Sequence, residues 1–215
     1  MSRPEYELLA KLKRPQPTKA ETKIHIVEED DAVGETAAAY QYFRDQTGRQ
    51  DVPGILKCFA TNPAFARQMV DASSSLLFCD GALTRLQKEL IATYVSHLNA
   101  CPYCFDSHGF FLAVHGASRQ TVDDLAAEDL SQLSQADREL LLYVRTVERE
   151  SFKTTREDVQ RLLDLGWQEQ QIAEAVLVAT MMGLCNRIAN AFGLPTQNLL
   201  SMPVTGLSQE PSTHS

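Results

Sequence analysis

The sequence predicts an all-α protein, and two patterns favour that class. Apolar residues recur at helical spacing through most of the chain, for example at Leu86, Leu90, Ile91, Tyr94, Val95 and Leu98. The alternation of a half-buried strand is nearly confined to residues 23–29, KIHIVEE. A chain of 215 residues with these patterns is expected to form one multi-helix domain around a single core.

The composition predicts extensions at both ends of this domain. Residues 1–23 and 203–215 are polar, contain several Pro, Ser and Thr residues and lack periodicity. We therefore expect a flexible N-terminal extension over 1–23, a helical domain over 24–202 and a flexible C-terminal tail over 203–215.

Helix-capping signals order the elements along the domain. Asp31 is predicted to cap a helix that Gly48 ends, and Asn62 before Pro63 begins one that reaches about Phe78. Further helix starts are predicted at Thr84, Cys101, Ser118, Ser134, Thr155 and Gln168. The last of these helices reaches Ala191 before Gly193 stops it.

Charge and composition narrow the classes of partner. The net charge is −8, from 20 Lys and Arg against 28 Asp and Glu, and no basic cluster is present. A nucleic-acid partner is therefore not expected. The N-terminal stretch lacks the apolar segment of a signal peptide, and no apolar run approaches about 18 residues. We expect a cytoplasmic protein without a membrane partner.

The five cysteines form an odd and modest set, unlike the disulfide framework of a small secreted domain. Cys58, Cys79 and Cys185 lie in apolar stretches and are predicted to be core residues. Cys101 and Cys104 are different because they form a Cys-x-x-Cys pair. In a reducing compartment such a pair is typical of catalysis or metal binding.

The segment CPYCFDSH, residues 101–108, holds the strongest chemical signal. Pro102 is suited to the first position of a helix, which makes Cys101 the N-cap and places Cys104 at the third helical position. His108 lies one turn further along the same face. A helix N-terminus favours an anion and His108 is placed as a base, so Cys104 is the predicted nucleophile.

Glu89 lies twelve residues before Cys101 and is the third candidate. If residues 84–99 and 102–115 form an antiparallel hairpin, Glu89 faces the second helix near His108 or a turn beyond it. Its apolar neighbours indicate partial burial, in which case it serves as a proton acceptor. The alternative is a surface glutamate that pairs with Lys88 or Arg85.

Residues 83–118, LTRLQKELIATYVSHLNACPYCFDSHGFFLAVHGAS, resemble the core signature of the alkylhydroperoxidase AhpD and carboxymuconolactone decarboxylase superfamily. The similarity favours the peroxidase-related branch and extends from about Ile24 to Pro195. The decarboxylase branch lacks the cysteine pair, so the pair itself indicates redox chemistry.

The resemblance implies an all-α AhpD-like domain with a helical hairpin that carries Glu, Cys-x-x-Cys and His. It also implies that Cys104 attacks a peroxide, that Cys101 resolves the product into a disulfide, and that Glu89 and His108 relay protons. A lipoyl protein or a thioredoxin-like dithiol would be the reductant, and the chain would form a trimer or hexamer. No cofactor and no metal are expected.

Some relatives carry a histidine between the cysteines, where this chain has Tyr103. His97 is a possible substitute or a hydrogen-bonded bystander. Phe105, Phe110 and Phe111 are candidates for an organic pocket, although aromatic residues beside a helix are more often core.

Three rival functions stay open. CPYC is also the active-site tetrapeptide of glutaredoxins, but a thioredoxin-like fold needs a strand before it, and only LIATYV would serve. Zinc is a second rival, with Cys101, Cys104 and His108 joined by His97 or His115. A helical binding module with a vestigial motif is the third. The predicted function is a thiol-dependent peroxidase, with a thiol–disulfide oxidoreductase as the alternative.

Overall fold

The computed structural model describes residues 22–202 of the chain, and this part is all-α, as the sequence predicts. It contains nine α-helices and no strand. In chain order they are α1 (Gly34–Thr47), α2 (Gly54–Phe59), α3 (Pro63–Leu76), α4 (Arg85–Leu98), α5 (Pro102–Val114), α6 (Arg119–Ala126), α7 (Gln135–Glu150), α8 (Arg156–Asp164) and α9 (Glu169–Phe192). The predicted extension over 1–23, except Thr22 and Lys23, and the predicted tail over 203–215 lie outside these residues.

The predicted helix starts agree with the structure wherever a capping side chain is present. The side chains of Asn62, Thr84, Cys101, Ser118 and Ser134 each accept a hydrogen bond from a backbone N–H in the first turn. Each cap satisfies a donor that has no partner within its own helix. The predicted caps therefore place the boundaries of the helices that carry the candidate site.

The prediction for Asp31 is wrong. This residue ends a short 3-10 turn, Glu29–Asp31, and α1 begins only at Gly34, after Val33 as a backbone N-cap. The Glu29 carboxylate accepts hydrogen bonds from the Arg44 guanidinium and from the backbone N–H of Val52. These contacts hold the 3-10 turn against the loop before α2.

The α4–α5 hairpin lies at the centre of the fold. Ala100 makes the tight turn between the two helices with a positive φ of 46°. Almost every side chain of α4 from Lys88 to Leu98 is buried, because α5, α7 and α9 surround this helix. A second apolar cluster joins α1, α2 and α3 to one side of α9. The candidate site forms where this cluster meets the hairpin.

Helix α9 is 24 residues long, and by length and composition alone it is apolar enough to cross a membrane. Half of its most apolar window is buried within the protein. Its buried face packs on α4, α5 and α7 and includes Val178, Met182 and Asn186. These contacts are those of a core helix, which has the same apolar composition as a short membrane span.

Candidate active site

The two cysteines of the Cys-x-x-Cys motif lie at the N-terminus of α5. Pro102 takes the first helical position, and Cys101 is the N-cap, as predicted. The Cys101 sulfur accepts a hydrogen bond from the Cys104 backbone N–H at 3.4 Å. Both side chains are almost fully buried, with residue exposures of 1% and 4%. The helix start therefore places one sulfur directly against a backbone donor.

The two sulfurs differ in acidity. A hydrogen bond from the Cys104 side chain, with further bonds from backbone N–H groups and Asn186, lowers the pKa of Cys101 against the opposing effect of burial. Burial raises the pKa of Cys104 well above its usual value, and the neighbouring Cys101 raises it further. Burial therefore opposes the lowering of the Cys104 pKa that a helix N-terminus favours.

Glu89 and His108 meet between α4 and α5. The Glu89 Oε2 and His108 Nδ1 atoms are 2.7 Å apart, and Glu89 is only 1% exposed. With the carboxylate ionised, Nδ1 carries the hydrogen and Nε2 of a neutral imidazole is left as the proton acceptor. The contact that helical spacing alone left borderline is present.

The alternative pairing of Glu89 with Arg85 is present as well. Arg85 Nη2 lies 2.6 Å from Glu89 Oε1, so the carboxylate bonds Arg85 through one oxygen and His108 through the other. A buried carboxylate between two donors is held in one orientation. Lys88 instead pairs with Glu174, at 2.7 Å.

A cavity opens beside this group. It encloses about 880 Å³, including the space that leads out to solvent, and both Cys104 and His108 line it. Its walls come from α1, α2, α3, α5 and α9 and from the loops that join them, and they are mostly apolar. They include Phe59, Met69, Leu77, Phe78, Phe111 and Met182. Cys101 is not among the lining residues, so the two sulfurs differ in access as well as in acidity.

The three aromatic candidates have different surroundings in the structure. Phe111 lines the cavity, where its ring packs against His108 at a centroid distance of 5.7 Å. Phe110 is fully buried in a small cluster with Leu199, and Phe105 packs against the ring of His97. One of the three therefore contributes to the pocket.

Tyr103 and His97 occupy different surroundings. The Tyr103 hydroxyl accepts a hydrogen bond from the Ile55 backbone N–H at 3.3 Å, and its side chain lines the cavity. Burial raises the pKa of Tyr103, so its hydroxyl stays neutral. His97 lies 3.6 Å from Glu128 and does not line the cavity, so it does not replace a histidine between the cysteines.

Asp106 was not a predicted site residue, yet it shapes the cavity. Its buried carboxylate accepts hydrogen bonds from the backbone N–H groups of Gln197, Leu199 and Leu200. These bonds hold the segment after α9 against α5, and Gln197 and Leu199 line the cavity. The signal available in the sequence is that Asp106 is the one acidic residue of α5.

The proposed zinc ligands do not converge. Within residues 22–202, no group of three or more His, Cys, Asp and Glu side chains is arranged to hold a metal ion. The zinc alternative requires His97 or His115 to join Cys101, Cys104 and His108. The structure brings together Cys104, His108 and Glu89 without such a set.

Comparison with known proteins gives a family match over part of the chain. Residues 63–133 match the carboxymuconolactone decarboxylase family. The matched segment is about a third of the chain. It contains α3, α4, α5 and α6, and so includes all four predicted site residues. The superfamily that the motif in residues 83–118 resembles is thereby confirmed.

Several solved structures share the fold over most of the chain. An AhpD-core peroxidase-related protein from Ralstonia eutropha JMP134 superposes with a TM-score of 0.73 at 23% identity, over 85% of this chain and 96% of its own. A peroxidase-related protein from Silicibacter sp. TM1040 gives 0.69 at 23% identity, over 86% and 94%. The debrominase Bmp8 gives 0.64 at 16% identity, over 84% and 94%. The AhpD-like fold is therefore confirmed.

A curated relative matches a shorter stretch. The uncharacterized protein 4 in the cox locus of Paracoccus denitrificans is 43% identical over 49 residues, 23% of this chain. The match spans 40% of that relative's length. It supports a local similarity of sequence and says nothing of activity.

Proposed function

We propose that the protein is a thiol-dependent peroxidase that reduces hydrogen peroxide or organic hydroperoxides through Cys104 and Cys101. One observation carries the proposal: His108, which is bonded to the buried Glu89 carboxylate at 2.7 Å, lines the same cavity as Cys104. A thiol, a histidine and an orienting carboxylate are the parts of an activated nucleophile. A peroxidase-like activity is also supported by the match to the carboxymuconolactone decarboxylase family and by the fold shared with peroxidase-related proteins.

In the oxidative half-reaction, His108 takes the Cys104 proton at Nε2 as the sulfur attacks the peroxide O–O bond. Glu89 stabilises the imidazolium that forms, because its carboxylate is already bonded to Nδ1. The O–O bond breaks, Cys104 becomes a sulfenic acid, and the leaving alkoxide takes the proton back from His108 as an alcohol. This role for His108 suits a Cys104 thiol whose pKa burial raises, since such a thiol needs a base.

The Cys101 thiol then condenses with the sulfenic acid, which forms the Cys101–Cys104 disulfide and releases water. A dithiol such as a lipoyl or thioredoxin-like protein donates two electrons and two protons to restore both thiols. This half-reaction suits a reducing compartment such as the cytoplasm. A homo-oligomer is part of the proposal, and exposed apolar side chains such as Phe152 and Leu177 support it. Light scattering of the full chain measures the oligomeric state.

Stoichiometric oxidation tests the proposal. The reduced full chain is treated with one equivalent of an organic hydroperoxide, and its thiols are mapped by mass spectrometry. We expect a Cys101–Cys104 disulfide in the wild-type protein and no turnover in Cys104→Ser. Undiminished turnover in Cys104→Ser would overturn the mechanism.

A second candidate function follows from the cavity and from one comparison. The apolar walls offer space for an aromatic molecule beside Cys104. A Cys-to-Ala variant of the debrominase Bmp8 in complex with 2,3,4-tribromopyrrole is among the similar structures, with a TM-score of 0.64 at 16% identity. A dithiol that reduces an organic electrophile, or only disulfides, is therefore the alternative. Disulfide formation with tribromopyrrole but not with any hydroperoxide would favour it.

A further inference from the structure

A hydrogen-bonded network of polar side chains lies beside the cysteine pair, between α4, α7 and α9. It comprises Ser96 and Asn99 at the C-terminal end of α4, Glu148 on α7 and Asn186 on α9. Ser96 and Asn186 are fully buried, and the side chain of Glu148 is only 4% exposed. Buried polar groups of this kind are normally placed by specific hydrogen bonds. Those bonds fix which way each amide points.

Glu148 fixes which group donates and which accepts in this network, because a carboxylate only accepts hydrogen bonds. Asn99 Nδ2 donates to Glu148 Oε1 at 3.0 Å and to Asn186 Oδ1 at 3.1 Å. The oxygen of Asn186 is therefore turned toward Asn99, and its amide nitrogen is turned away. The orientation of Asn186 follows from a charged group on a different helix.

The amide nitrogen of Asn186 has two hydrogens to donate. One is bonded to Ser96 Oγ at 3.1 Å, and Ser96 sends its own hydroxyl hydrogen to the Ala92 carbonyl. The other hydrogen is not used by Ser96, and Cys101 lies beside the same residue, because the Cys101 backbone N–H donates to the Ser96 carbonyl at 3.0 Å. Ser96 therefore places a neutral amide donor next to Cys101.

Gly183, one turn before Asn186 on α9, leaves space for this network. A Cβ added at Gly183 would lie 2.6 Å from Glu148 Oε2 and 2.6 Å from Arg187 Nη1. Arg187 pairs with Glu148 at 2.6 Å and neutralises the carboxylate from the solvent side. Glycine therefore lets the carboxylate approach the helix that carries Asn186.

We propose that Asn186 is a positioning residue whose amide donates a hydrogen bond to Cys101 and stabilises the thiolate that leaves when the Cys101–Cys104 disulfide is reduced. The proposal rests on the redox role of the pair in the proposed function. It deepens that role by assigning which sulfur departs and what holds it.

The step follows from the different access of the two sulfurs. An external thiolate attacks Cys104, which lines the cavity, and forms a mixed disulfide there while the S–S bond to Cys101 breaks. The electron pair of that bond stays on Cys101, whose sulfur accepts a hydrogen bond from the Cys104 backbone N–H and is the proposed acceptor of the Asn186 amide. The second thiol of the donor then attacks the mixed disulfide, releasing the oxidised donor and reduced Cys104. Other ionisable groups near the pair are Cys185 on α9 and the His108–Glu89 pair on the cavity side.

The test measures the equilibrium between dithiol and disulfide, without peroxide. The full chain is equilibrated in glutathione redox buffers, and the Cys101–Cys104 disulfide is quantified by mass spectrometry. We expect Asn186→Ala to raise the equilibrium constant for disulfide formation about tenfold, because the thiolate that competes with the disulfide loses a charge-assisted hydrogen bond. Reduction of the disulfide by dithiothreitol should slow by a similar factor.

Asn190→Ala is the matched control. Asn190 lies one turn later on α9 and donates to the Asn99 carbonyl rather than to a sulfur. We expect the equilibrium constant for disulfide formation in Asn190→Ala to stay within about twofold of wild type. A folded Asn186→Ala protein with the wild-type constant, or an equal shift in Asn190→Ala, would overturn the proposal.

Glu148→Gln is a second variant that leaves Asn186 in place. A glutamine can donate as well as accept, so Asn99 and Asn186 are no longer held in one orientation. We expect a shift of the same sign and about threefold. If no Asn186 variant folds, an unchanged constant in Glu148→Gln overturns the inference. A protein that forms the disulfide in glutathione but turns over no peroxide would refute the peroxidase function alone.

Discussion

The two sides of the cysteine pair differ in polarity and in access. On the cavity side, Cys104 and His108 face apolar walls, and burial raises the pKa of the Cys104 thiol. On the other side, Cys101 is closed off from the cavity, accepts a backbone hydrogen bond and lies near Asn186. Two cysteines at one helix N-terminus can therefore have different surroundings. The N-cap sulfur accepts the backbone hydrogen bond, and the cysteine at the third helical position lines the cavity.

Exchange of either sulfur for oxygen tests this division most strongly. We expect Cys104→Ser to lower kcat/KM for an organic hydroperoxide by at least about 1,000-fold, because the attacking atom is lost. Cys101→Ser should still reduce one equivalent of peroxide, since the attacking sulfur remains. Rapid-mixing measurements of a single turnover check both. Equal loss of the first turnover in the two variants would erase the distinction between the sulfurs.

The carboxylate on the cavity side gives the next largest effect. Glu89→Gln should lower kcat/KM about 100-fold, because a neutral amide no longer stabilises the imidazolium of His108. Glu174→Gln is its control, since Glu174 pairs with Lys88 on the same helix α4 but does not line the cavity. We expect a change of less than about threefold for the control. Steady-state assays of both variants show whether the loss of activity is specific to the charge at Glu89 or also follows when another paired carboxylate is neutralised.

Cys58 and Cys185 are buried thiols outside the Cys101–Cys104 pair. Burial raises the pKa of Cys58 and Cys185 from 9.0 to about 12. Between these values the unfolded thiol has lost its proton while the folded thiol keeps it, so this contribution to stability is complete below pH 9 and declines above it. The free energy of unfolding should fall by about 2 to 3 kcal/mol between pH 8 and pH 10 for the two thiols together.

Urea unfolding of the reduced protein at a series of pH values measures this slope. Cys58→Ala should remove about half of it, because one of the two thiols no longer titrates. A stability that stays flat up to pH 10 would show that these thiols ionise as readily in the folded protein as in the unfolded chain.

The size of the cavity gives the smallest effect. Ser74 lines it on α3, so Ser74→Phe should lower kcat/KM for cumene hydroperoxide about tenfold and leave hydrogen peroxide within about twofold. Ser75 neighbours Ser74 but is exposed and does not line the cavity, which makes Ser75→Phe the matched control. An equal effect of both substitutions on the two peroxides would mean that the cavity does not hold the substrate.

Local chemistry accounts for what the sequence could predict. The caps at Asn62, Thr84 and Cys101 depend on residues within four positions of each other, so the helix boundaries follow from short motifs. Asp31 shows the limit, because its surroundings are set by contacts between Glu29 and residues beyond α1. A cap motif competes with such contacts and does not always prevail.

The parts of the site that escaped prediction depend on packing between distant segments. Asn186 follows Ser96 by 90 residues and reaches it only because α9 crosses α4. The raised pKa of Cys104 depends on burial by several helices, whereas its position in the motif favours the opposite shift. The contact between Glu89 and His108 was predicted only as borderline, because it depends on the relative rotation of α4 and α5.

Trapping of the sulfenic acid tests the central claim most directly, namely that the oxidant reacts at Cys104. The Cys101→Ser and Cys104→Ser variants are each treated with one equivalent of an organic hydroperoxide in the presence of dimedone, and the adducts are located by mass spectrometry. We expect an adduct on Cys104 in Cys101→Ser and none on Cys101 in Cys104→Ser. An adduct on Cys101 that forms at a comparable rate would contradict attack by Cys104.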